Sequence, residues 1–188
     1  NQVKDQRGQP VVLGWTGTHS TLPYLKALVP ILESLDRKLD FKFLLISNRP
    51  PDFDLPNLEY RPWNKATERA DLLGMHIGVM PLTDDRWAKG KCGFKALQYM
   101  ALGIPPVISP VGVNSEIVED GVNGFLSADP EAWRTSLKTL IVDHDLRQKM
   151  GKSARQTILD RYSVRSNRDN MTREERQSYV SDRTSGGD

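Results

Sequence analysis

The residues best able to do chemistry lie between positions 89 and 116, which read KGKCGFKALQYMALGIPPVISPVGVNSE. The start of this stretch contains three lysines and two glycines: Lys89, Lys91, Lys95, Gly90 and Gly93. An apolar run with helical spacing follows, and a helix N-terminus presents unpaired backbone N–H groups and partial positive charge. Glycine lets a ligand approach that backbone closely. The pattern predicts a site for a diphosphate or another compact polyanion, with a solvated lysine cluster at an ordinary helix start as the alternative.

Short apolar runs that alternate with helical patterns surround this stretch. The predicted strands cover residues 11–13, 41–47, 58–60, 76–80, 107–108 and 124–126. The predicted helices are one that is capped by Ser20 or Thr21 and runs to Leu35, and four that cover residues 66–73, 94–101, 130–142 and 146–162. Pro30 should kink or divide the first helix, and the last is open to a break near Gly151. This alternation predicts an α/β fold, a three-layer Rossmann-like doubly wound parallel sheet of about six strands.

The unusual loops of this predicted fold follow its strands. They cover residues 15–20, 61–64, 82–90 and 109–113. In a parallel doubly wound sheet, ligands bind outside the carboxyl ends of the strands. We therefore expect these loops to converge on one edge and form one site.

Composition limits the partners and the compartment. The chain has 188 residues and a net charge of +2, which argues against a general nucleic-acid grip. Its one cysteine, Cys92, suits a reducing compartment, and no apolar run is long enough to span a bilayer. We expect a cytoplasmic protein, free or peripheral to the membrane at full length. Residues 1–10 have the character of a linker remnant, residues 11–162 form the domain, and residues 163–188 form a polar tail, helical or disordered.

The motifs across residues 89–126 resemble the C-terminal half of GT-B glycosyltransferases, in the large retaining GT4-like group. Residues 97–101, LQYMA, match that group's LEAMA motif, and Gly103, Pro105 and Ser109 match the turn and strand after it. Gly112 and Glu116 match the next loop, and GVNGF at 121–125 matches the last motif. The layout is similar across residues 11–162.

The resemblance implies roles for the residues of the central stretch. Gln98 stands where the family has the ribose-binding Glu of a Glu-x7-Glu pair, and the first Glu of that pair is replaced by Gly90. Gly93 and Phe94 match the turn that cradles the distal end of the donor. Lys95 stands where an apolar residue or proline is usual. Gly112 and Glu116 belong to the supporting loop.

The resemblance also implies roles for two earlier loops. The family's Arg and Lys after the first strand are absent here, so we expect Lys91 and Lys95 to supply the charge for the diphosphate. Gly17 and Thr18 would add N–H and hydroxyl donors. The loop at Arg61, Pro62 and Trp63 matches the place where the family holds the nucleobase, with core packing as an equal alternative for Trp63.

The family implies a hexosyltransferase-like enzyme that transfers a sugar from a nucleotide diphosphate to an acceptor hydroxyl with retention. The acceptor, a glycan or a lipid-linked sugar as in cell-surface polysaccharide biosynthesis, would bind an N-terminal domain missing from this chain, so we expect the fragment to be inactive alone. No cofactor or metal is expected. A nucleotide-sugar epimerase half-domain, a non-catalytic nucleotide-binding module and a flavodoxin-like interaction domain are alternatives. Donor sugar, base, acceptor, linkage and oligomeric state are left open.

Overall fold

The computed structural model describes residues 3–83 and 93–162. Within them six parallel strands form one sheet in the order β3-β2-β1-β4-β5-β6. The strands are β1 (Val11–Gly17), β2 (Phe41–Ser47), β3 (Leu58–Pro62), β4 (Ile77–Met80), β5 (Pro106–Ile108) and β6 (Phe125–Leu126). The order reverses between β1 and β4, so the predicted doubly wound parallel sheet is confirmed.

Seven helices lie between and after these strands in the described ranges. They are α1 (Leu22–Leu25), α2 (Val29–Asp36), α3 (Glu68–Leu72), α4 (Phe94–Ala101), α5 (Asn114–Ile117), α6 (Pro130–Val142) and α7 (His144–Thr157). Short 3-10 turns at His19–Thr21 and Lys26–Leu28 flank α1, and a π-helical turn at Ile158–Tyr162 follows α7. The predicted strand and helix order is confirmed, with ends shifted by a few residues.

Apolar side chains cover both faces of the sheet. On one face, side chains of β1 and β2 such as Leu13 and Phe43 pack with α2 and α6, including Leu32 and Leu137. On the other face, Leu44 and Ile46 pack with Tyr99 of α4, and a third cluster joins α4 to α7. Helices therefore cover both faces in three layers, which explains why strands such as β2 are apolar along nearly their whole length.

The two helix interruptions expected from the sequence have different outcomes. Pro30 lies in the first turn of α2, and the 3-10 turn Lys26–Leu28 separates that helix from α1, so the expected division is confirmed. The helix α7 instead runs through Gly151 without a break. A Cβ atom at Gly151 would overlap the carbonyl oxygen of Gly103, so the glycine permits close packing rather than a break.

The segment before β1 lies against the amino-terminal edge of the sheet. The backbone N–H of Lys4 donates to the carbonyl of Leu102, and Lys4 Nζ donates to the carbonyl of Leu73 at 2.9 Å. Gln6 is buried, its Nε2 donates to the carbonyl of Gly103, and its own carbonyl accepts from Arg147 Nη2 at 3.1 Å. The described residues 3–10 of this amino-terminal segment therefore contact the loops before β4 and β5. The predicted tail, 163–188, lies outside the described residues.

Candidate functional site

The loop after β1 begins later than the sequence predicts. Trp15 and Gly17 continue the strand in register with Leu45 and Ser47 of β2, so the loop starts at Thr18 and not at Trp15. Trp15 is buried, and a Cβ atom at Gly17 would overlap its ring, so close packing explains why glycine ends the strand. Gly17, from which the sequence analysis expects a backbone N–H donor, is therefore the last residue of β1, at the carboxyl edge.

Hydrogen bonds fix the residues that follow β1. Thr18 Oγ1 and Ser20 Oγ lie 2.8 Å apart, and the backbone N–H of His19 donates to Asn48 Oδ1 at 2.8 Å. Asn48 follows β2, so this bond joins the loops after two neighbouring strands. Thr18 is thus held at the carboxyl edge of β1, one of the two strands at which the sheet order reverses.

The start of α4 depends on Gly93. This residue precedes the helix with a φ angle of 63°, and a Cβ atom there would overlap Ile117 Cδ1 of α5. The backbone conformation and the close approach both require glycine. Phe94, the first residue of α4, is 61% exposed. The N–H groups in the first turn of α4 have no partner within a helix, as at every helix start.

The charged residues expected near this helix start are described only in part. Lys95 Nζ lies 5.2 Å from the centroid of the Trp15 ring, which brings a cation from α4 over a residue of β1. Lys91 and Lys89 lie outside the described residues. The described residues therefore bring Lys95, Gly93, Gly17 and Thr18 to adjoining strand ends, where the sequence predicts a diphosphate site.

Tyr99 fills the gap between the two strands at which the sheet order reverses. β1 and β4 pair at Leu13–Ile77 and Gly14–Gly78. Beyond those pairs, the backbone N–H of Thr16 donates to Tyr99 Oη at 3.1 Å, and Tyr99 Oη donates to the carbonyl of Val79 at 3.4 Å. Burial raises the pKa of the Tyr99 hydroxyl, so it stays protonated and able to donate.

A cleft lies at the carboxyl end of β3. Its volume is about 530 Å³, and it is lined by residues 61–65, Thr67 and Asp71. Arg61 and Pro62 are the last residues of β3 rather than loop residues. Arg61 contacts Glu59 at 2.6 Å and Asp71 at 3.2 Å, and its hydrogen bond to Glu59 raises the pKa of its guanidinium. Two carboxylates therefore hold this arginine, and Trp63 forms the exposed wall of the cleft.

Glu68 connects this cleft to α4. Its Oε1 atom accepts from Trp63 Nε1 at 3.1 Å and from Gln98 Nε2 at 3.4 Å. Gln98 lies one turn after Phe94, on the same face of α4. The expected nucleobase residue and the expected ribose residue thus contact one carboxylate, which the sequence analysis did not single out.

Asn114 and Ser109 hold the supporting loop after β5, and the sequence analysis assigned neither of them to the site. Gly112 has a φ angle of 59°, and Glu116 is exposed on α5. The buried Asn114 donates from Nδ2 to the carbonyl of Ser109 at 2.8 Å. Ser109 Oγ accepts from the backbone N–H of Leu82 at 2.9 Å, which ties the loop after β5 to the one after β4.

The described residues contain neither a metal-binding cluster nor a membrane-spanning helix. Residues 3–83 and 93–162 contain no group of three or more His, Cys, Asp or Glu side chains arranged to hold a metal ion. In the same ranges no helix has the length and apolar character needed to cross a membrane.

Comparisons with known structures place this fold. The C-terminal domain of LpcC, a glycosyl transferase group 1 family protein from Francisella tularensis, is 19% identical with a TM-score of 0.62, covering 82% of this chain and 87% of that one. TarM is 17% identical with a TM-score of 0.72, covering 90% of this chain and 36% of TarM. HepE (Alr3699) from Anabaena, solved with UDP and glucose, is 16% identical with a TM-score of 0.65, covering 85% and 46%. The chain therefore spans less than half the length of TarM and HepE.

The sequence comparisons identify the family. No curated protein matches the sequence. The family model for glycosyl transferases group 1 matches residues 11–143, which is most of the chain. The matched range starts at β1 and ends at Asp143, just after α6, so it includes all six strands and the candidate site. The chain belongs to the glycosyl transferases group 1 family, and its fold is that of the C-terminal domain of GT-B glycosyltransferases.

Proposed function

We propose that this domain binds the nucleotide-diphosphate sugar of a retaining glycosyltransferase that transfers a hexose-like sugar to an acceptor hydroxyl. The observation that carries the proposal is the meeting of α4 and β1 at the carboxyl edge. There Gly93 opens the helix start and Lys95 Nζ lies 5.2 Å from the Trp15 ring centroid. A helix N-terminus with a nearby cation is suited to a diphosphate.

The diphosphate would lie against the first turn of α4. Backbone N–H groups at Gly93 and Phe94 would donate to its oxygens, and Lys95 would add a full charge, as would Lys91, which lies two residues before Gly93 in the sequence. Gly17 and Thr18 would donate from the end of β1. A charge-assisted hydrogen bond of this kind contributes about 1.5–3 kcal/mol.

The nucleoside would extend from the diphosphate toward β3. The cleft at the end of that strand has a volume of about 530 Å³ and carries Trp63 as its exposed aromatic wall. A base stacked on an aromatic ring gains about 1–3 kcal/mol in single-stranded nucleic-acid sites. Gln98 would bond the ribose between the two, and Gly112 and Glu116 would support the loop beside the sugar.

The reaction would need a second domain that brings the acceptor, a glycan or a lipid-linked sugar. Placing the acceptor and excluding water from the cleft both lower the barrier, and the described residues form one domain. We propose that cations and backbone dipoles, without a metal, stabilise the leaving diphosphate. We place the full-length enzyme in the cytoplasm, in cell-surface polysaccharide synthesis.

Binding experiments test the donor site. Thermal shift and calorimetry with UDP, GDP and ADP, each with and without its sugar, should give saturable binding, while FMN should give none. Lys95→Ala and Lys91→Ala should each weaken the best nucleotide about tenfold or more, because each removes a charge-assisted contact. Lys138→Ala, on the exposed side of α6, is the matched control and should bind normally. Wild-type affinity in both site variants would contradict the assignment.

Turnover experiments test the rest of the proposal. This chain should transfer no sugar to any acceptor, whereas the full-length protein should be active in excess EDTA. Nuclear magnetic resonance of the product should show a retained anomeric configuration. Epimerisation of the nucleotide sugar without an acceptor would favour the epimerase alternative, and nucleotide binding without turnover at full length would favour a non-catalytic module.

A further inference from the structure

One carboxylate contacts both side chains that the proposed function assigns to the nucleoside. Glu68 is the first residue of α3, and its Oε1 accepts from Trp63 Nε1 at 3.1 Å and from Gln98 Nε2 at 3.4 Å. Trp63 comes from the loop after β3, and Gln98 comes from α4. The three residues therefore join three separate elements through a single oxygen atom.

The chemistry of a carboxylate fixes the orientation of both partners. An ionised carboxylate only accepts hydrogen bonds, so the Gln98 amide must present its NH₂ group to Glu68. The other branch of that amide, the carbonyl oxygen Oε1, is then left as a hydrogen-bond acceptor. The indole N–H is a donor only, so the same contact also fixes the edge of the Trp63 ring that faces α3.

This orientation bears on the missing carboxylate of the family signature. A ribose hydroxyl donates to a glutamate, and it can donate equally to the carbonyl oxygen of a correctly turned glutamine. A glutamine that is free to rotate would present NH₂ or oxygen indifferently. The partner of Gln98 thus decides whether residue 98 can act in place of a glutamate.

We propose that Glu68 is a positioning residue that turns the Gln98 carbonyl toward the ribose hydroxyls and holds the Trp63 ring at the nucleobase cleft. This inference rests on the proposed function, because it presumes that a nucleotide occupies the site. Glu68 itself does not touch the nucleotide. It makes Gln98 selective for ligands with ribose hydroxyls.

The test compares UDP with 2′,3′-dideoxyuridine 5′-diphosphate by calorimetry, or the matching pair if GDP or ADP binds more tightly. Wild type should prefer the hydroxylated nucleotide by about tenfold, the value of one good hydrogen bond. Glu68→Ala and Gln98→Leu should each reduce that preference below about threefold, and the double variant should lose no more than either single one. Glu33→Ala, an exposed glutamate of α2, is the matched control.

Three further variants separate positioning from folding. The exchange Glu68→Gln with Gln98→Glu restores a carboxylate–amide pair and should keep the preference, whereas Glu68→Gln alone pairs two amides, lets the Gln98 amide adopt either orientation, and should reduce the preference. Trp63→Phe keeps an aromatic ring and removes the N–H donor, so it should weaken the binding of both nucleotides equally. These comparisons remain usable if Glu68→Ala does not fold.

The results distinguish this inference from the function on which it rests. If wild type binds UDP with the hydroxyl preference and Glu68→Ala weakens both nucleotides by the same factor, the inference is overturned and the proposed function stands. An unchanged preference in both Glu68→Ala and Glu68→Gln overturns it as well. If wild type binds none of UDP, GDP and ADP, both proposals are overturned.

Discussion

The ring of Tyr99 occupies the space that a side chain at Gly78 would fill. A Cβ atom on Gly78 would overlap the Tyr99 ring, and both residues are buried. Gly78 pairs with Gly14 of β1 and with Pro106 of β5, so it is a central position of β4. The absence of a side chain in a central strand allows an aromatic residue of α4 to reach the point where the strand order reverses.

This contact predicts that Gly78→Ala is strongly destabilising. The added methyl group should lower the free energy of unfolding by about 1–3 kcal/mol, as overpacking of a dense core does. Tyr99→Ala in the same background should relieve the overlap, so the two changes should be far from additive in a double-mutant cycle followed by urea denaturation. Additive effects would mean that the ring moves aside without cost.

The Tyr99 hydroxyl can be tested separately from the ring. Tyr99→Phe leaves the backbone N–H of Thr16 buried without its acceptor, since that group donates to Tyr99 Oη at 3.1 Å. An unpaired buried donor costs about 1–3 kcal/mol, which urea denaturation measures. Amide hydrogen exchange at Thr16 should also become faster. Unchanged stability and exchange would show that the hydroxyl is dispensable.

His76 predicts a dependence of stability on pH. Its Nδ1 accepts from the backbone N–H of Val12 at 3.0 Å, and its Nε2 is buried without a partner in the described structure. Burial, together with the charges of Lys4 and Arg147 and against that of Asp5, lowers the pKa of His76 to about 4. An unfolded histidine has a pKa of about 6.5.

The sign follows from which state binds the proton. Between pH 6.5 and 4 the unfolded chain binds a proton that the folded His76 does not, so the free energy of unfolding should fall as the pH falls. The slope approaches about 1.4 kcal/mol per pH unit for one proton. Urea denaturation across this range should show the slope in wild type and a flatter profile in His76→Gln. His19→Gln is the control, and an equal slope in all three proteins would contradict the prediction.

The contact between α7 and the turn at Gly103 predicts an unusual helix substitution. Alanine is a better helix former than glycine by about 0.8–1.0 kcal/mol, yet Gly151→Ala should destabilise the domain because its methyl group would overlap the Gly103 carbonyl. We expect a net loss of about 1–3 kcal/mol by thermal or urea unfolding. Lys152→Ala, on the exposed side of the same helix, should be neutral. A stabilised Gly151→Ala would show that the two backbones separate easily.

Asn123 predicts that part of the family motif serves the fold rather than the ligand. Its Oδ1 accepts from the backbone N–H of Glu119 at 2.8 Å, and its Nδ2 contacts Thr157 Oγ1 at 3.0 Å. Asn123→Ala should therefore cost about 1–3 kcal/mol in unfolding free energy and leave nucleotide affinity within about twofold. Calorimetry of the folded variant at low temperature checks the second part. A large loss of nucleotide affinity would contradict this prediction and indicate that Asn123 belongs to the nucleotide site.

The fold could be predicted because its signals are local. Continuous apolar runs in β2 and β5, the glycine at 103 and the prolines at 105 and 106 are read from a few neighbouring residues. Gly103 has a φ angle of 72°, a left-handed conformation that glycine adopts readily, and this explains its place after the end of α4. The end of β1 could not be predicted, because Trp15, Thr16 and Gly17 are held in the strand by partners in β2.

The site could be predicted only where it depends on one short segment. Gly93 and Lys95 lie where the glycine and lysine pattern indicates, beside the end of β1. Glu68 could not be found, because one of its partners is thirty residues away on another helix and no spacing relates them. In the sequence Tyr99 looks like one more apolar residue of α4. Its hydroxyl finds its hydrogen-bond partners, Thr16 and Val79, only when β1 and β4 lie side by side.

The amino-terminal segment, residues 3–10, makes the amino-terminal edge of the sheet different from its carboxyl edge. At one end Lys4 and Gln6 bond the loops leading into β4 and β5, so these strands are fastened together where they begin. At the other end β1 and β4 have diverged, and a single hydroxyl spans the gap. Fluctuations of the sheet should therefore be smallest at its amino-terminal edge, where these bonds hold β4 and β5. They should be largest at its carboxyl edge, where the proposed ligand would bind.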